Sequence, residues 1–325
     1  MLRRKLALSV LSFSLLMGSA AAMAKTVFIA SDVHPADYPT TAAVIHMGEK
    51  LSQQTDGRLS IRMFPSGQMG DESTTLEKTR AGAIDILRVS MAPVGGILPQ
   101  VSVFNMPFVF RDTDHQHKVL DGDVGSKLAK EISDSNLGLV FLGWMDAGSR
   151  SLITKKPITT LDDLKGVKIR LQNNPIGLDT FKALGANPIV LPVGDVFASL
   201  QTGVIDAAEN NEPTFDTENY VVAGTKYFDL TEHFMIPEVL AFSKRKWSKL
   251  SAEDQALIVK LAKEAQAEER VLWAEYVEKS KQRLQSQGVK FLPVDKKPFV
   301  DATAPVREKY GKQFSDLMQE IQDTK

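Results

Sequence analysis

The sequence predicts an α/β protein of two similar lobes, joined by hinge strands and bridged by one long helix. A strand–helix–strand pattern occurs twice, and each copy contains a Gly-x-Ile-Asp segment, at residues 82–85 and 203–206. Two extended apolar segments connect the copies. Residues 252–286 lack Gly and Pro and place apolar residues three and four positions apart, as an amphipathic helix does.

The first 24 residues have the features of a secretory signal peptide. Basic residues at positions 3–5 precede an apolar run from Leu6 to Met17, and small residues then lead to an A-x-A sequence that ends at Ala24. The run is too short to cross a bilayer about 30 Å thick. We expect cleavage after Ala24 and a periplasmic protein, with an uncleaved anchor as the alternative.

Charge and cysteine content narrow the class of protein. The signal carries three basic residues and no acid, so the remaining chain has 39 − 3 = 36 basic and 40 acidic residues, a formal charge of −4. This mild acidity argues against a nucleic-acid partner. Because the chain contains no Cys, an ordinary hydrophobic core must stabilise the exported protein.

The two strand–helix–strand units are organised in the same way. The first has strands at 59–64 and 86–89, with Asp71 as the N-cap of the intervening helix. The second has strands at 189–192 and 207–210, with Asp195 as the corresponding cap. In each Gly-x-Ile-Asp segment, Gly stops the helix, Ile enters the core and Asp turns the chain into the strand.

Extended segments at 137–153 and 236–242 are the predicted hinge strands. The helix at 252–286 would be about 50 Å long, which is longer than one lobe, so it must lie across both. A coiled-coil dimer is the alternative, but the apolar stripe lacks a regular a/d repeat. A last helix is predicted from Pro305 to Gln322.

Arg170 is the first candidate for a ligand contact. Gly166 ends a helical turn, Val167 to Arg170 alternates as a strand does, and Pro175 opens the next helix. Arg170 is therefore at the carboxyl end of a strand, where open α/β sheets bind ligands. Its guanidinium matches a carboxylate in a bidentate pair. The alternative is an Arg paired with an internal acid.

Several segments together resemble solute-binding proteins of tripartite ATP-independent periplasmic (TRAP) transporters. They are GRLSIRMFPSGQMGDE at 57–72, GAIDILRVS at 82–90, FNMPFVFRD at 104–112 and LKGVKIRLQNNP at 164–175. The resemblance implies a two-lobed, type II-like periplasmic binding protein fold. It also implies a small organic acid held between the lobes and TRAP membrane subunits as partners. We expect residues 25–147 with 236–275 to form one lobe, and 148–235 with 276–325 the other.

The resemblance implies that Arg170 grips the substrate carboxylate, and Arg150 and Asn210 match two further positions of the family. The remaining candidates are polar residues near strand ends or at a helix start: Glu72, Arg88, His34, Asp32, Asn211 and Asn173. The alternative for Glu72 is a solvated first-turn acid that the helix dipole favours.

The character of these residues indicates the kind of anion. A dicarboxylate without hydroxyls would leave many donors and acceptors unpaired, at about 1–3 kcal/mol each. The segments DVHPADYPT and IDILRVS also resemble family members that bind sugar acids. We therefore expect a hexuronate or aldonate, such as glucuronate or galacturonate. Sialic acid, a dicarboxylate or a 2-oxo acid are the alternatives.

An exported enzyme acting on sugar acids is the alternative from another class. The sequence has no HExxH zinc motif, no GxSxG nucleophile motif and no Cys. The neighbouring acids Asp71 and Glu72 are too common a pattern to indicate a glycosidase. We predict no catalytic activity, no cofactor and no metal. A sensing role with a membrane receptor would use the same pocket.

Overall fold

The computed structural model describes residues 25–325, so the predicted signal peptide and its cleavage after Ala24 lie outside the described residues. In this range the strands are β1 (Thr26–Ser31), β2 (Leu59–Phe64), β3 (Ile86–Ser90), β4 (Leu139–Met145), β5 (Arg150–Thr154), β6 (Lys168–Leu171), β7 (Asn187–Val190), β8 (Ala207–Asn210), β9 (Tyr227–Phe234), β10 (Glu238–Ser243) and β11 (Lys290–Pro293).

Helices surround these strands, and short 3₁₀ turns occur at Pro99–Asn105 and Val193–Asp195. The helices are α1 (Pro39–Gln54), α2 (Glu72–Ala81), α3 (Met91–Gly95), α4 (Thr113–Asp121), α5 (Asp123–Asp134), α6 (Leu161–Leu164), α7 (Pro175–Ala183), α8 (Val196–Thr202), α9 (Glu212–Thr217), α10 (Lys244–Trp247), α11 (Ala252–Ser286), α12 (Lys296–Ala302), α13 (Ala304–Gly311) and α14 (Ser315–Asp323). No helix within residues 25–325 combines the length and hydrophobicity that a membrane crossing requires.

The strands form two sheets, and the predicted two-lobed α/β fold is confirmed. The five-stranded sheet has the order β2-β1-β3-β10-β4, with β10 antiparallel to both neighbours. The six-stranded sheet has the order β11-β9-β5-β8-β6-β7, with β5 antiparallel to both neighbours. We call the five-stranded sheet with its helices the first lobe, and the six-stranded sheet with its helices the second lobe.

The two Gly-x-Ile-Asp segments have the same structure, as predicted. Gly82 and Gly203 adopt left-handed conformations, with φ of 82° and 76°, and the two Ile side chains that follow are fully buried. Asp85 exchanges two hydrogen bonds with the backbone of Ile29, and Asp206 does the same with Lys168. Each Asp therefore fixes the start of a strand to its parallel neighbour.

Two chain crossings and one helix join the lobes. The chain passes from β4 to β5 and returns from β9 to β10. The long helix α11 has the predicted bounds, and Ser251 caps it by accepting a hydrogen bond from the backbone N–H of Asp254. α11 packs against α1 in the first lobe and α9 in the second. The prediction that it lies across both lobes is confirmed.

Two local predictions are wrong. Asp195 makes no side-chain cap on α8, because it closes a 3₁₀ turn and has helical backbone angles itself. The single last helix from Pro305 to Gln322 is two helices, α13 and α14, because the chain turns after Gly311 and buries Phe314 in the core. The second of these, α14, packs against α5 of the first lobe.

Candidate functional site

A cavity lies between the two lobes. It is at the edge of both sheets where β1, β6 and β8 end, which is the usual location of a ligand in an open α/β sheet. The first lobe contributes His34, Glu72 and Glu238 to its lining, and the second lobe contributes Arg150, Arg170 and Asn210.

Arg170 is a buried cation without an acidic partner in the part of the chain that the structure describes. It lies in β6, and its side chain is held by a hydrogen bond of 2.8 Å from Nε to the carbonyl oxygen of Leu191. No carboxylate of residues 25–325 forms an ion pair with it, whereas Arg88 and Arg150 are both paired. Burial lowers the pKa of Arg170, yet a guanidinium remains charged. A ligand carboxylate would provide the missing counter-charge.

Arg150 is paired with Glu209, which the sequence analysis did not identify. Nε and Nη2 of Arg150 donate to the two carboxylate oxygens at 2.6 and 2.8 Å, and Nη1 donates to Oδ1 of Asn210 at 2.9 Å. Burial raises the pKa of Glu209, but Arg150 and His233 lower it to about 2. The pair is charged and fixes the amide of Asn210 at the cavity wall.

Arg88 is the centre of an acidic cluster in the first lobe. Its Nε donates to Asp32 at 3.0 Å and its Nη2 donates to the same carboxylate. Its Nη1 donates to Glu72 at 2.8 Å and lies 2.9 Å from Oε1 of Glu238. Burial raises the pKa of Asp32, but Arg88 and His34 lower it to about 2. Neither Arg88 nor Asp32 is among the residues that line the cavity. The guanidinium of Arg88 is instead occupied by internal carboxylates.

Glu72 links the acidic cluster to the second lobe. Oε1 accepts from Arg88 and from the backbone N–H of Ser90 at 3.0 Å, and Oε2 accepts from Nε2 of Gln172 at 3.3 Å. Glu72 is therefore not a solvated first-turn acid, which was the alternative. Asp71 instead caps α2, as predicted, by accepting from the backbone N–H of Thr74.

Glu238 begins β10 and is the fourth acid of the site. Its Oε1 contacts Arg88, while its buried Oε2 has no hydrogen-bond partner in residues 25–325. Burial raises the pKa of Glu238 to about 8; Arg88 opposes this rise, and Glu72 and Asp32 add to it.

His34 and Asn211 lie at the contact between the lobes. The ring of His34 stacks on Tyr38 with centroids 3.9 Å apart, and its Nδ1 has no partner in the described chain. Burial and then Arg88 lower the pKa of His34 to about 3, so it is neutral. Asn211 caps α9 through the N–H of Thr214 and donates to the carbonyl of Ala147. The side chain of Asn211 thus stabilises the start of α9 and the chain crossing at Ala147.

Six of the nine candidate residues line this cavity: His34, Glu72, Arg150, Arg170, Asn210 and Asn211. Asn173 is exposed and lines an adjoining cavity that also contains Arg170. Sequence analysis missed Gln172 and Glu238 in the lining. Gln172 is two positions after Arg170 at a strand end, and Glu238 is the one acid in the predicted strand at 236–242, so strand alternation and charge were the available signals.

The chemistry of the lining suits an anion that carries hydroxyl groups. The guanidinium of Arg170, which has no ion-pair partner within residues 25–325, can bind a carboxylate, and carboxylate, amide and imidazole groups surround it as donors and acceptors. Within residues 25–325 no group of three or more His, Cys, Asp or Glu side chains is arranged to hold a metal ion.

Comparison of this sequence with known proteins identifies the family to which it is similar. The family model for DctP, bacterial extracellular solute-binding protein family 7, matches residues 30–313. A solute-binding protein of Chromohalobacter salexigens is 35% identical over 295 residues, which cover 90% of this chain and 87% of that protein.

Solved structures are similar over nearly the same range. A TRAP periplasmic solute-binding protein of Citrobacter koseri with bound D-glucuronate is 50% identical, with a TM-score of 0.90 over 92% of this chain and 100% of that one. The corresponding protein of Pseudomonas putida F1, also with bound D-glucuronate, is 48% identical, with a TM-score of 0.90 over 92% and 97%.

The Citrobacter protein has also been solved without ligand, in an open form. The TM-score of this chain against that form is 0.81, over 91% of this chain and 98% of that one. The lobes of this chain are therefore arranged more as in the ligand-bound form. With the family match and these likenesses together, the chain belongs to the DctP family of solute-binding proteins, which serve TRAP transporters.

Proposed function

We propose that the chain binds a hexuronate, with glucuronate as the first candidate, by closing its lobes around it, and delivers it to TRAP membrane subunits. The observation that carries this proposal is Arg170, a buried guanidinium with no ion-pair partner in residues 25–325, at the wall of the interlobe cavity. A single carboxylate satisfies it in a bidentate pair.

The rest of the lining favours hydroxyl groups over a second carboxylate. Beyond Arg170 the cavity offers Glu72, Gln172, His34 and Asn210. These groups can donate to and accept from sugar hydroxyls, and leaving them unpaired would cost about 1–3 kcal/mol each. The bound glucuronate in two structural relatives supports the same ligand class.

The roles of the individual residues belong to the proposal. Arg170 binds the carboxylate, while Asn210, Asn173, Glu72 and His34 contact hydroxyls. Arg150, Arg88, Asp32 and Asn211 hold those groups in place through the contacts described above. In this scheme the protein binds and releases its ligand unchanged and catalyses no reaction.

The lobe bounds and the export route are proposed as well. The two chain crossings support lobes of residues 25–147 with 236–275, and of residues 148–235 with 276–311. The last helix, α14, packs against α5 and is therefore assigned to the first lobe instead of the second. The basic and apolar start of the chain supports cleavage after Ala24 and release into the periplasm.

A thermal-shift screen of the chain from residue 25 tests the function. The ligands are glucuronate, galacturonate, gluconate, succinate, pyruvate and sialic acid. A ligand at one hundred times its Kd stabilises the native state by about 2.7 kcal/mol. We expect the uronates to raise the Tm most, and isothermal titration then gives their Kd. A response to succinate alone would contradict the proposed ligand class.

A further inference from the structure

Three carboxyl groups of the first lobe converge on the single guanidinium of Arg88, and they are not equivalent. Asp32 also accepts from Oγ of Thr40 and from a backbone N–H. Glu72 also accepts from a backbone N–H and from Gln172. Glu238 has only its Oε1 contact with Arg88, and its Oε2 is buried without a donor in the described chain. Glu238 is therefore the carboxyl least stabilised as an anion.

The sum of the charges at the site also indicates that one carboxyl, such as that of Glu238, is protonated. The guanidinium groups of Arg88, Arg150 and Arg170 give three positive charges. The carboxyls in ion-pair contact with these guanidinium groups are those of Asp32, Glu72, Glu209 and Glu238, so full ionisation gives 3 − 4 = −1 before an anion binds. A ligand carboxylate would make this −2, and the cost of such an excess in a closed cavity is large. Protonation of one carboxyl reduces the excess to −1.

We propose that Glu238 is a substrate-positioning and specificity residue whose neutral carboxyl donates a hydrogen bond from Oε2 to an oxygen of the bound sugar acid. This inference rests on the proposed function. Oε1 would remain on Arg88, so the carboxyl has a fixed orientation. Ionisable groups face Glu238 from every side: Arg88 in β3, Asp32 after β1, Tyr38 before α1, Glu72 in α2, Arg150 in β5 and Glu269 in α11.

The pKa of Glu238, which burial raises to about 8, agrees with a carboxyl that is neutral at pH 7. A neutral donor at this wall gives selectivity. A ligand hydroxyl can accept from Oε2, whereas a second ligand carboxylate would bring another negative charge beside Asp32 and Glu72. Glu238 therefore favours a monocarboxylic acid with hydroxyl groups over a dicarboxylate.

The test is proton uptake on ligand binding. Isothermal titration with D-glucuronate is carried out from pH 6.5 to pH 9.5, in buffers of different ionisation enthalpy. If only the neutral form binds, the apparent Kd is the intrinsic Kd divided by the neutral fraction. We expect the Kd to be constant near pH 7 and to rise about tenfold by pH 9, with protons taken up from the buffer above pH 8.

The Glu238→Gln variant removes the titrating group and keeps an N–H donor. Whatever its affinity at pH 7, its Kd should not change over this pH range and no proton should be taken up. Glu308→Gln is the matched control, because Glu308 is an exposed acid whose one ion pair within residues 25–325 is with Lys312, and it should retain the wild-type profile.

Two outcomes would overturn the inference separately from the function. Tight binding with a flat pH profile and no proton uptake in the wild type would contradict a neutral Glu238. A pH-dependent Kd that persists in Glu238→Gln would assign the proton to another group. Absence of uronate binding at every pH would instead overturn the proposed function, and this inference with it.

Discussion

The side-chain amide of Gln172 donates to Oε2 of Glu72 across 3.3 Å, so the end of β6 in the second lobe is tied to the start of α2 in the first. A second bond joins the lobes nearby, since the hydroxyl of Tyr38 lies 3.1 Å from Oγ1 of Thr214. Opening of the cleft must break both bonds. They therefore contribute to the equilibrium between the open and closed forms.

Removal of the Tyr38 hydroxyl should weaken ligand binding by destabilising the closed form. One hydrogen bond contributes about 0.5–1.5 kcal/mol, so Tyr38→Phe should raise the Kd for glucuronate roughly 2- to 10-fold. Tyr310→Phe is the control, because its hydroxyl bonds to Asp179 away from the cleft. Titration calorimetry gives the Kd, and an equal effect of the two substitutions would contradict the role in closure.

Loss of the Arg170 guanidinium should remove most of the binding. Truncation of one partner of a buried charged pair costs about 2–5 kcal/mol, so Arg170→Ala should raise the Kd by roughly 30-fold to several thousand-fold. Arg170→Lys should also bind weakly, because an ammonium cannot make the planar fork. Arg245→Ala, at an exposed position, should bind as the wild type does. Unchanged affinity in Arg170→Ala would refute the assigned carboxylate site.

The pair of Arg150 and Glu209 should matter for stability as well as for binding. Arg150→Ala leaves a buried carboxylate unpaired, and we expect the free energy of unfolding to fall by about 3–5 kcal/mol. The double variant Arg150→Met with Glu209→Leu should recover most of this loss, because two apolar side chains need no counter-charge. Urea unfolding at pH 7 measures both values, and equal stability of the two variants would argue against the pair.

Acid should destabilise the fold below about pH 4.5. The folded pKa values of Asp32 and Glu209 are about 2, below their ordinary values of 3.8 and 4.5. A depressed pKa gives stability that is present above the ordinary value and is lost as pH falls towards the folded value. Each group should contribute about 2–3 kcal/mol. Urea unfolding between pH 5 and pH 3 should show the loss in the wild type and a smaller loss in the double variant.

The scaffold could be predicted because its signals are local. The Gly-x-Ile-Asp segments, the uninterrupted apolar stripe of α11 and the Ser251 cap all act within a few residues of the chain. The division of the C-terminal helix was missed because Phe314 is buried by a tertiary contact, which helical spacing alone does not indicate.

The site could be predicted only in part. Arg170 followed from a strand end and from the family resemblance, and the structure places it at the cavity. The partners Glu209 and Glu238 were missed because each meets its Arg from a distant part of the chain, 59 positions away for Glu209 and Arg150. Sequence spacing indicates that an Arg lies at the edge of the sheet where ligands bind. It does not indicate which internal acid already forms an ion pair with that Arg.

The position of β10 has a consequence for how the protein forms. β10 lies between β3 and β4 in the five-stranded sheet, so that sheet stays incomplete until residues 238–243 have joined it. The six-stranded sheet likewise needs β11, at residues 290–293. Pairings between such distant segments are slow to form. A growing chain therefore cannot complete the sheet of either lobe until these late segments have been made.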